Sequence, residues 1–293
     1  MRNLILLILF LQANSSFSQI ESILLNKSTK EVIPYASIYI KNSKIGTSSD
    51  LEGKFSISLD TADTLMISSV GFNFLELPFR EIEDTLEMEY DIQQMSEIIV
   101  RPKREKSGWF PKKNILGDIK SNYFSINVWL GSGGNAFQIA RFFEYQPKYR
   151  ITPYIQQITF NTWSKVENAI YSVKLYEVNA DGLPGKLINS KTIIGNAKKR
   201  MHKSTIDIED RGIRFPKEGL FVAIDYINIE SNRSLKGTDY GFLYDDYKYE
   251  YSPSIGLKYS EKFEIYKFNY SKGKWYISED FRAVLECEIV LVE

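Results

Sequence analysis

Apolar and polar residues alternate with a period of two at several places along the chain, which is the pattern of half-buried β-strands. Phe55, Ile57 and Leu59 fall on one face of such a segment, and two serines fall on the other. The segment 169–178 alternates in the same way, and 220–224 is apolar throughout, as in a central strand buried on both faces. No convincing helical period interrupts these segments, so the pattern predicts an all-β protein.

Turn signals and a charged linker divide the strand candidates into two groups. Residues 19–100 carry about six short candidates, which predict a small β-sandwich. Residues 114–293 carry about ten, which predict a larger, jelly-roll-like β-sandwich. A chain of 293 residues has room for two domains of ordinary size. The candidates in the second group lie at 122–130, 137–145, 154–162, 169–178, 187–194, 204–208, 219–229, 261–270, 274–278 and 283–292.

The N-terminus has the pattern of a secretory signal peptide, predicted to span residues 1–18. Arg2 supplies the positive region, 4–11 is an unbroken apolar run, and Ser16 and Ser18 are small residues at the −3 and −1 positions. The apolar run is too short for a membrane span, which needs about 20 residues. We therefore expect export, a mature chain without a transmembrane segment, and a location in the periplasm or in association with the outer membrane or cell surface.

The predicted linker, residues 101–113, combines dense positive charge with helix and strand breakers. It contains six Lys and Arg residues together with two prolines and a glycine. Such a run stays solvated and interrupts regular structure, which favours a soluble linker. The alternative is a contact with anionic lipid or an anionic envelope polymer.

Composition and charge exclude some classes of function but do not identify one. The chain has 37 Lys and Arg against 37 Asp and Glu, so it lacks the basic excess of a nucleic-acid-binding domain. We therefore expect no nucleic-acid partner. Aromatic residues make up 14% of the chain, with 19 Tyr and 18 Phe, and aromatic side chains suit pleated, half-buried surfaces.

Several motifs of the first domain follow one another in a characteristic order and spacing. They are Ile33-Pro34-Tyr35-Ala36-Ser37-Ile38-Tyr39-Ile40, Ile45-Gly46-Thr47, Asp50-Leu51-Glu52-Gly53-Lys54-Phe55, Asp63-Thr64-Leu65, Val70-Gly71-Phe72 and Ser96-Glu97-Ile98-Ile99-Val100. In these motifs this part of the chain resembles the carboxypeptidase regulatory-like domain, which implies a transthyretin-like fold and a place in Gram-negative cell envelopes. The segments 174–178, 182–185 and 215–222 carry a weaker resemblance to an uncharacterised β-sandwich domain that often follows it.

The resemblance is to the accessory domain of carboxypeptidases and not to the peptidase. A zinc peptidase site typically needs two His and one Glu, and this chain has a single histidine, His202. His202 falls in a basic segment between two strand candidates, which indicates a solvated hairpin turn. The sequence therefore excludes zinc carboxypeptidase activity and predicts no metal site and no cofactor.

Cys287 is the only cysteine, so no intramolecular disulfide forms. It falls on the apolar face of the last strand candidate, between Glu286 and Glu288. A reactive thiol needs partial exposure and a positive neighbourhood. The pattern predicts a buried, inert thiol and no catalytic residue.

The segment 239–251 is the strongest candidate for a binding site. It contains six aromatic residues and three aspartates in thirteen positions, and flat rings beside carboxylates can hold a sugar or a protein surface. The alternatives are a Ca²⁺ loop, which lacks the EF-hand pattern, and a long connection packed on the sandwich. The candidate ligand-binding residues are Tyr240, Tyr244, Asp245, Asp246, Tyr247 and Tyr249.

These observations predict an exported, non-catalytic envelope protein that binds or scaffolds an envelope protein, a glycan or cell-wall material. One alternative is a sandwich-fold glycan hydrolase with paired carboxylates about 5–10 Å apart in an aromatic cleft. Another is an accessory relative of TonB-dependent uptake systems. The chain has too few strands for a large transmembrane barrel of its own.

Overall fold

The structure, a computed structural model, describes residues 18–91, 112–119, 128–135, 137–235, 249–270, 272–280 and 282–293. Within these ranges the regular elements are strands and four short 3-10 helices, which confirms the all-β prediction. The strands are β1 (Ser18–Asn26), β2 (Ser37–Ile40), β3 (Gly46–Ser48), β4 (Lys54–Leu59), β5 (Thr64–Ser68), β6 (Leu75–Pro78), β7 (Thr85–Met88), β8 (Lys113–Gly117), β9 (Val128–Ser132), β10 (Phe137–Phe143), β11 (Tyr154–Ser164), β12 (Ala169–Val178), β13 (Pro184–Leu187), β14 (Ile193–Ala197), β15 (Arg200–Asp207), β16 (Leu220–Tyr226), β17 (Arg233–Leu235), β18 (Tyr249–Tyr259), β19 (Tyr266–Asn269), β20 (Lys274–Ile277), β21 (Ala283–Leu285) and β22 (Cys287–Val292). The 3-10 helices are Phe79–Glu81, Pro147–Ile151, Glu209–Arg211 and Glu230–Asn232.

The first domain is a small sandwich of a three-stranded and a four-stranded sheet. The strand orders are β4-β1-β7 and β3-β2-β5-β6, and β1 runs parallel to β7 while the other pairs are antiparallel. Strand β4 alternates as predicted: Phe55, Ile57 and Leu59 are buried, and the residues between them are exposed. These side chains join Leu24 of β1 and Ile38 of β2 in one core between the sheets.

The second domain is a larger sandwich of a seven-stranded and an eight-stranded sheet. The main path of the first is β13-β12-β16-β10-β19-β20, with β14 beside β12. The main path of the second is β17-β18-β11-β22-β8, with β15 beside β11 and with β9 and β21 beside β18. Phe160, Tyr171, Val222 and Ile289 lie in the core where the inner faces of the two sheets meet.

Several details differ from the sequence prediction. Strands β8, β17 and β18 lie outside the predicted strand segments. The last predicted strand is interrupted at Glu286 and forms β21, which pairs with β18, and β22, which pairs with β11 and β8. The predicted hairpin turn at His202 is wrong, because this residue is exposed within β15 and is paired with Thr162 of β11. The predicted linker lies outside the described residues except at its end, where β8 begins at Lys113.

Candidate functional site

The first domain packs on the outer face of the seven-stranded sheet. Strand β16 explains how this face arises, because all seven of its residues are buried although they alternate between two faces. Val222 and Ile224 point into the sandwich core, whereas Phe221 and Ala223 belong to a separate cluster on the other face. By the same alternation Asp225 belongs to this outer face, where the first domain covers it.

A buried polar network joins the two domains. Ser37 Oγ of β2 donates to Asp225 Oδ2 of β16 at 2.8 Å. The Tyr270 hydroxyl lies 2.8 Å from the same oxygen and 3.2 Å from Ser37 Oγ, and Gln138 Nε2 donates to this hydroxyl at 2.7 Å. Lys174 Nζ forms an ion pair with Asp225 Oδ2 at 2.6 Å, and both side chains are at least nine-tenths buried. Because these groups satisfy one another, the network fixes how the domains meet.

Charge and burial act in opposite directions on Lys174. Burial is the largest single effect on the pKa of its ammonium group and lowers it. Attraction to and a hydrogen bond with Asp225, together with smaller contributions from Tyr176 and Tyr39, outweigh burial and leave that pKa above its ordinary value. Burial raises the pKa of the Tyr39, Tyr176 and Tyr270 hydroxyls. At neutral pH the network therefore contains a protonated lysine surrounded by neutral phenols.

Further backbone and side-chain contacts hold the first domain in the same position. Thr47 Oγ1 donates to the Asn228 carbonyl at 3.2 Å, and the Asn228 amide donates to Ser48 Oγ at 3.1 Å. Gly71, in the Val70-Gly71-Phe72 motif, has φ +83°, and an added Cβ would lie 3.1 Å from the Ser190 carbonyl. A glycine there permits the close approach of the two domains.

Beside this network an open cleft lies between the two domains. Its volume is about 1010 Å³, at the upper end of the usual range for ligand sites. One wall comes from the ends of β2 and β5 and the segment that follows β5, and the other from the outer face of the seven-stranded sheet. Lining residues that bear on binding are Tyr39, Phe72, Phe74, Tyr176, Phe268, Tyr270 and Trp275, together with Lys41, Lys186, Lys272 and Lys274.

Aromatic rings form the sheet side of the cleft. Phe268 lies opposite Trp275 in the β19–β20 pair, with ring centroids 5.3 Å apart. Trp275 also meets the Tyr176 ring edge-on at 5.4 Å, and Phe268 meets Tyr270 at 5.0 Å. Phe268, Trp275 and Tyr176 are half-buried, so they keep surface available to a ligand.

Lysines surround these rings. Lys272 and Lys274 flank Gly273, whose φ of +61° forms the turn between β19 and β20, and Lys186 lies on β13. All three are exposed, and none has an ion-pair partner among the described residues. Lys41, on the opposite wall, pairs with Glu76 at 2.5 Å, a surface contact that contributes little.

The carboxylates of the cleft are few. Among the described residues that line it, Asp91 is the only acidic side chain. Asp225 lies behind the lining, held by Lys174 and Tyr270. The described part of the cleft therefore does not supply the pair of carboxylates on which a glycan hydrolase would depend.

The predicted site at 239–251 is mostly outside the described residues, so Tyr240, Tyr244, Asp245, Asp246 and Tyr247 remain predictions. Tyr249 is described, at the start of β18 opposite Leu235 of β17. The guanidinium of Arg233 lies 4.4 Å from the centre of its ring. Tyr249 is not among the residues that line the interdomain cleft.

Sequence reasoning missed the residues of the cleft. Alternation along 169–178 assigns Lys174 to the face opposite Tyr171, Val173 and Leu175, and the first domain covers that face. Only the packing of the two domains makes Trp275 part of a cleft. One feature of the sequence could have indicated a buried polar contact at this face. Asp225 is a carboxylate directly after an apolar run that is predicted to be buried on both faces.

The small sandwich and its motifs agree with a family model for the CarboxypepD_reg-like domain, which matches residues 23–100. These residues form a CarboxypepD_reg-like domain. The resemblance inferred from the motifs is therefore confirmed, and the rest of the chain is an uncharacterised β-sandwich. In this CarboxypepD_reg-like domain, the motif residues Ser37, Tyr39, Thr47 and Gly71 lie against the second sandwich.

Solved structures that are similar to the whole chain are distant. One is the clostridial cysteine protease Cwp84 after propeptide cleavage, with 12% identity, a TM-score of 0.39 and coverage of 94% of this chain and 71% of that one. Another contains the cysteine protease and lectin-like domains of Cwp84, a surface-layer-associated protein of Clostridium difficile, with 11% identity, a TM-score of 0.38 and coverage of 94% and 63%. No curated protein matches the chain.

Other features of the described part of the chain that bear on function are its thiol, its potential metal ligands and its helices. Cys287 is fully buried, and burial raises the pKa of its thiol, in agreement with an inert core residue. No group of three or more His, Cys, Asp or Glu side chains there is arranged to hold a metal ion. None of the described helices has the length and apolar character needed to cross a membrane.

Proposed function

We propose that this protein is an exported, non-catalytic binding protein of the bacterial cell envelope, and that the interdomain cleft holds its ligand. The observation that supports this proposal is a large cleft with walls from both domains and with half-buried aromatic rings. Three of its exposed lysines, Lys186, Lys272 and Lys274, have no ion-pair partner among the described residues. Buried networks cost free energy unless every member is satisfied, and this one is satisfied beside the cleft, so the walls are held in place before a ligand arrives.

The pattern of residues 1–18 and the family resemblance support an envelope location. The ligand is an envelope glycan, a cell-wall polymer or a protein partner on the outer-membrane or periplasmic side. Rings that expose apolar faces beside polar groups suit such ligands, because one surface offers both contact area and orientation.

The test is a glycan array and a sedimentation assay with isolated cell walls, using the chain from residue 19 onward. Two variants probe the cleft, Trp275→Ala and the pair Lys272→Gln with Lys274→Gln. A third, Tyr244→Ala with Tyr247→Ala and Tyr249→Ala, probes the segment predicted from sequence. Circular dichroism and thermal unfolding verify that each variant folds.

We expect the cleft variants to lose binding and the third variant to keep it. If only the third variant loses binding, the ligand site lies in segment 239–251 and not in the cleft. Equal binding by all variants would refute the cleft as the ligand site. An assay for new reducing ends accompanies each glycan that binds, and their release would contradict the non-catalytic assignment.

A further inference from the structure

We propose that the ligand of the cleft is an acidic glycan, one that carries carboxylate or sulfate groups on its sugar units. This inference rests on the proposed function, because it specifies the ligand of the same site. It follows from the charge at the cleft, the shape of its aromatic side and the neutral polar groups between them.

Charge gives the first argument. Lys186, Lys272 and Lys274 are exposed at the cleft and have no ion-pair partner among the described residues. The whole chain is balanced in charge, so this local positive excess is not a general property of the surface. Unpaired charges of one sign in a cleft attract a ligand of the opposite sign and raise its rate of association.

The position of the rings gives the second argument. Trp275 lies on the strand that follows Gly273, directly beside Lys274, and Phe268 lies across from it on β19. Lys272 and Lys274 line the same cleft, so a ligand that stacks on Trp275 shares this cleft with their ammonium groups. Sugar rings bearing acidic groups present both features, an apolar ring face for stacking and an anion at its edge.

The opposite wall gives the third argument. Asn42, Ser68, Ser69 and Asn73 line it, and these side chains are neutral hydrogen-bonding groups. Amides and hydroxyls both donate and accept, which matches the hydroxyl groups along a sugar chain. An acidic peptide also fits the lysines, so the test includes one.

Binding is measured by calorimetry with probes in matched pairs of charge. Polygalacturonate is compared with its methyl ester, and dextran sulfate with dextran, so that each pair shares a sugar backbone. Alginate adds a second uronate polymer, and poly-L-glutamate supplies the charge without the sugar. The proteins are the mature chain, Lys272→Gln with Lys274→Gln, Trp275→Ala, and the control Lys198→Gln with Lys199→Gln, an exposed pair between β14 and β15.

We expect at least one acidic glycan to bind, and its neutral counterpart to bind at least about tenfold more weakly. Removal of Lys272 and Lys274 should weaken binding about tenfold and reduce its dependence on salt, since exposed charges are screened over about 10 Å. Trp275→Ala should weaken the acidic and neutral glycans alike, and the control pair should bind like the unchanged chain.

Three outcomes would overturn the inference. If a neutral glycan binds as tightly as its acidic partner, the cleft does not select charge, and the proposed function stands without this ligand class. If poly-L-glutamate binds as tightly as the glycans, the occupant is an acidic peptide. If no acidic probe binds, an acidic glycan is excluded, and the cell-wall assay above decides the proposed function separately.

Discussion

The outer face of the seven-stranded sheet has two halves that differ in how their polar groups are satisfied. Under the first domain, Lys174, Asp225 and Tyr270 form a closed network, in which Lys174 and Asp225 pair with each other. In the cleft next to it, Lys272 and Lys274 have no ion-pair partner among the described residues, and Trp275 keeps exposed surface. One sheet therefore carries a structural contact and a candidate binding surface side by side.

From this difference we expect substitutions in the covered half to affect stability and substitutions of the cleft lysines to affect binding. Groups in the covered half are desolvated, so the loss of one partner leaves another buried and unsatisfied. The exposed lysines of the cleft are hydrated, so their loss costs the fold little. Each prediction below concerns one half of this face.

The largest expected effect is alkaline destabilisation of the covered half. Burial raises the pKa of Tyr39, Tyr176 and Tyr270, so above about pH 10 the unfolded chain releases protons that the folded chain retains. The unfolded state then binds fewer protons, and the free energy of unfolding falls as pH rises. Well above about pH 10 the slope approaches about 1.4 kcal/mol per pH unit for each tyrosine, or about 4 kcal/mol per pH unit for the three. Tyr171 and Tyr226 in the core of the second domain, whose pKa values burial also raises, add to this slope.

Urea denaturation at stepwise pH between about 9 and 11 measures this slope. In Tyr270→Phe the free energy of unfolding should fall less steeply with pH, by the amount that one tyrosine contributes. An unchanged slope in this variant would show that Tyr270 is not held neutral by the interface.

Lys174→Met should lower the free energy of unfolding by about 3–5 kcal/mol, because it leaves the Asp225 carboxylate buried without its ion pair. The double variant Lys174→Met with Asp225→Asn should recover a large part of this loss, since it removes both charges and keeps an acceptor for Ser37. Chemical denaturation measures both. A cost below about 1 kcal/mol for Lys174→Met would mean that water reaches the pair.

Tyr270→Phe should cost about 1–3 kcal/mol at neutral pH, because the lost hydroxyl contacts Ser37, Gln138 and Asp225. Tyr259→Phe is the matched control, since Tyr259 is 74% exposed and should change stability by less than about 0.5 kcal/mol. Equal effects of the two changes on thermal unfolding would argue against a closed network.

The smallest expected effect on stability belongs to the cleft. Lys272→Gln with Lys274→Gln should change the free energy of unfolding by less than about 0.5 kcal/mol, as should the control Lys198→Gln with Lys199→Gln. Denaturation curves of the two variants should overlap. A clear loss confined to the first pair would mean that these lysines support the fold rather than a ligand.

Local patterns were sufficient for most of the strands but not for the cleft. The alternation of Phe55, Ile57 and Leu59 identifies a buried face because neighbouring residues of a strand point to opposite sides. The same rule assigns Lys174 to an outer face, but alternation cannot tell whether water or another domain covers that face. It also cannot show the break at Glu286, where the chain changes its partner strand from β18 to β11.

The sequence by itself determined the all-β class, the CarboxypepD_reg-like domain and the buried position of Cys287, because each rests on short-range pattern or on motif spacing. Only the tertiary structure decided that the first domain covers part of the seven-stranded sheet, that Lys174 and Asp225 meet beneath it, and that Trp275 and the lysines of the β19–β20 turn share a cleft. The physical reason is that these contacts join residues far apart in the chain, where neither periodicity nor spacing carries information about distance in space.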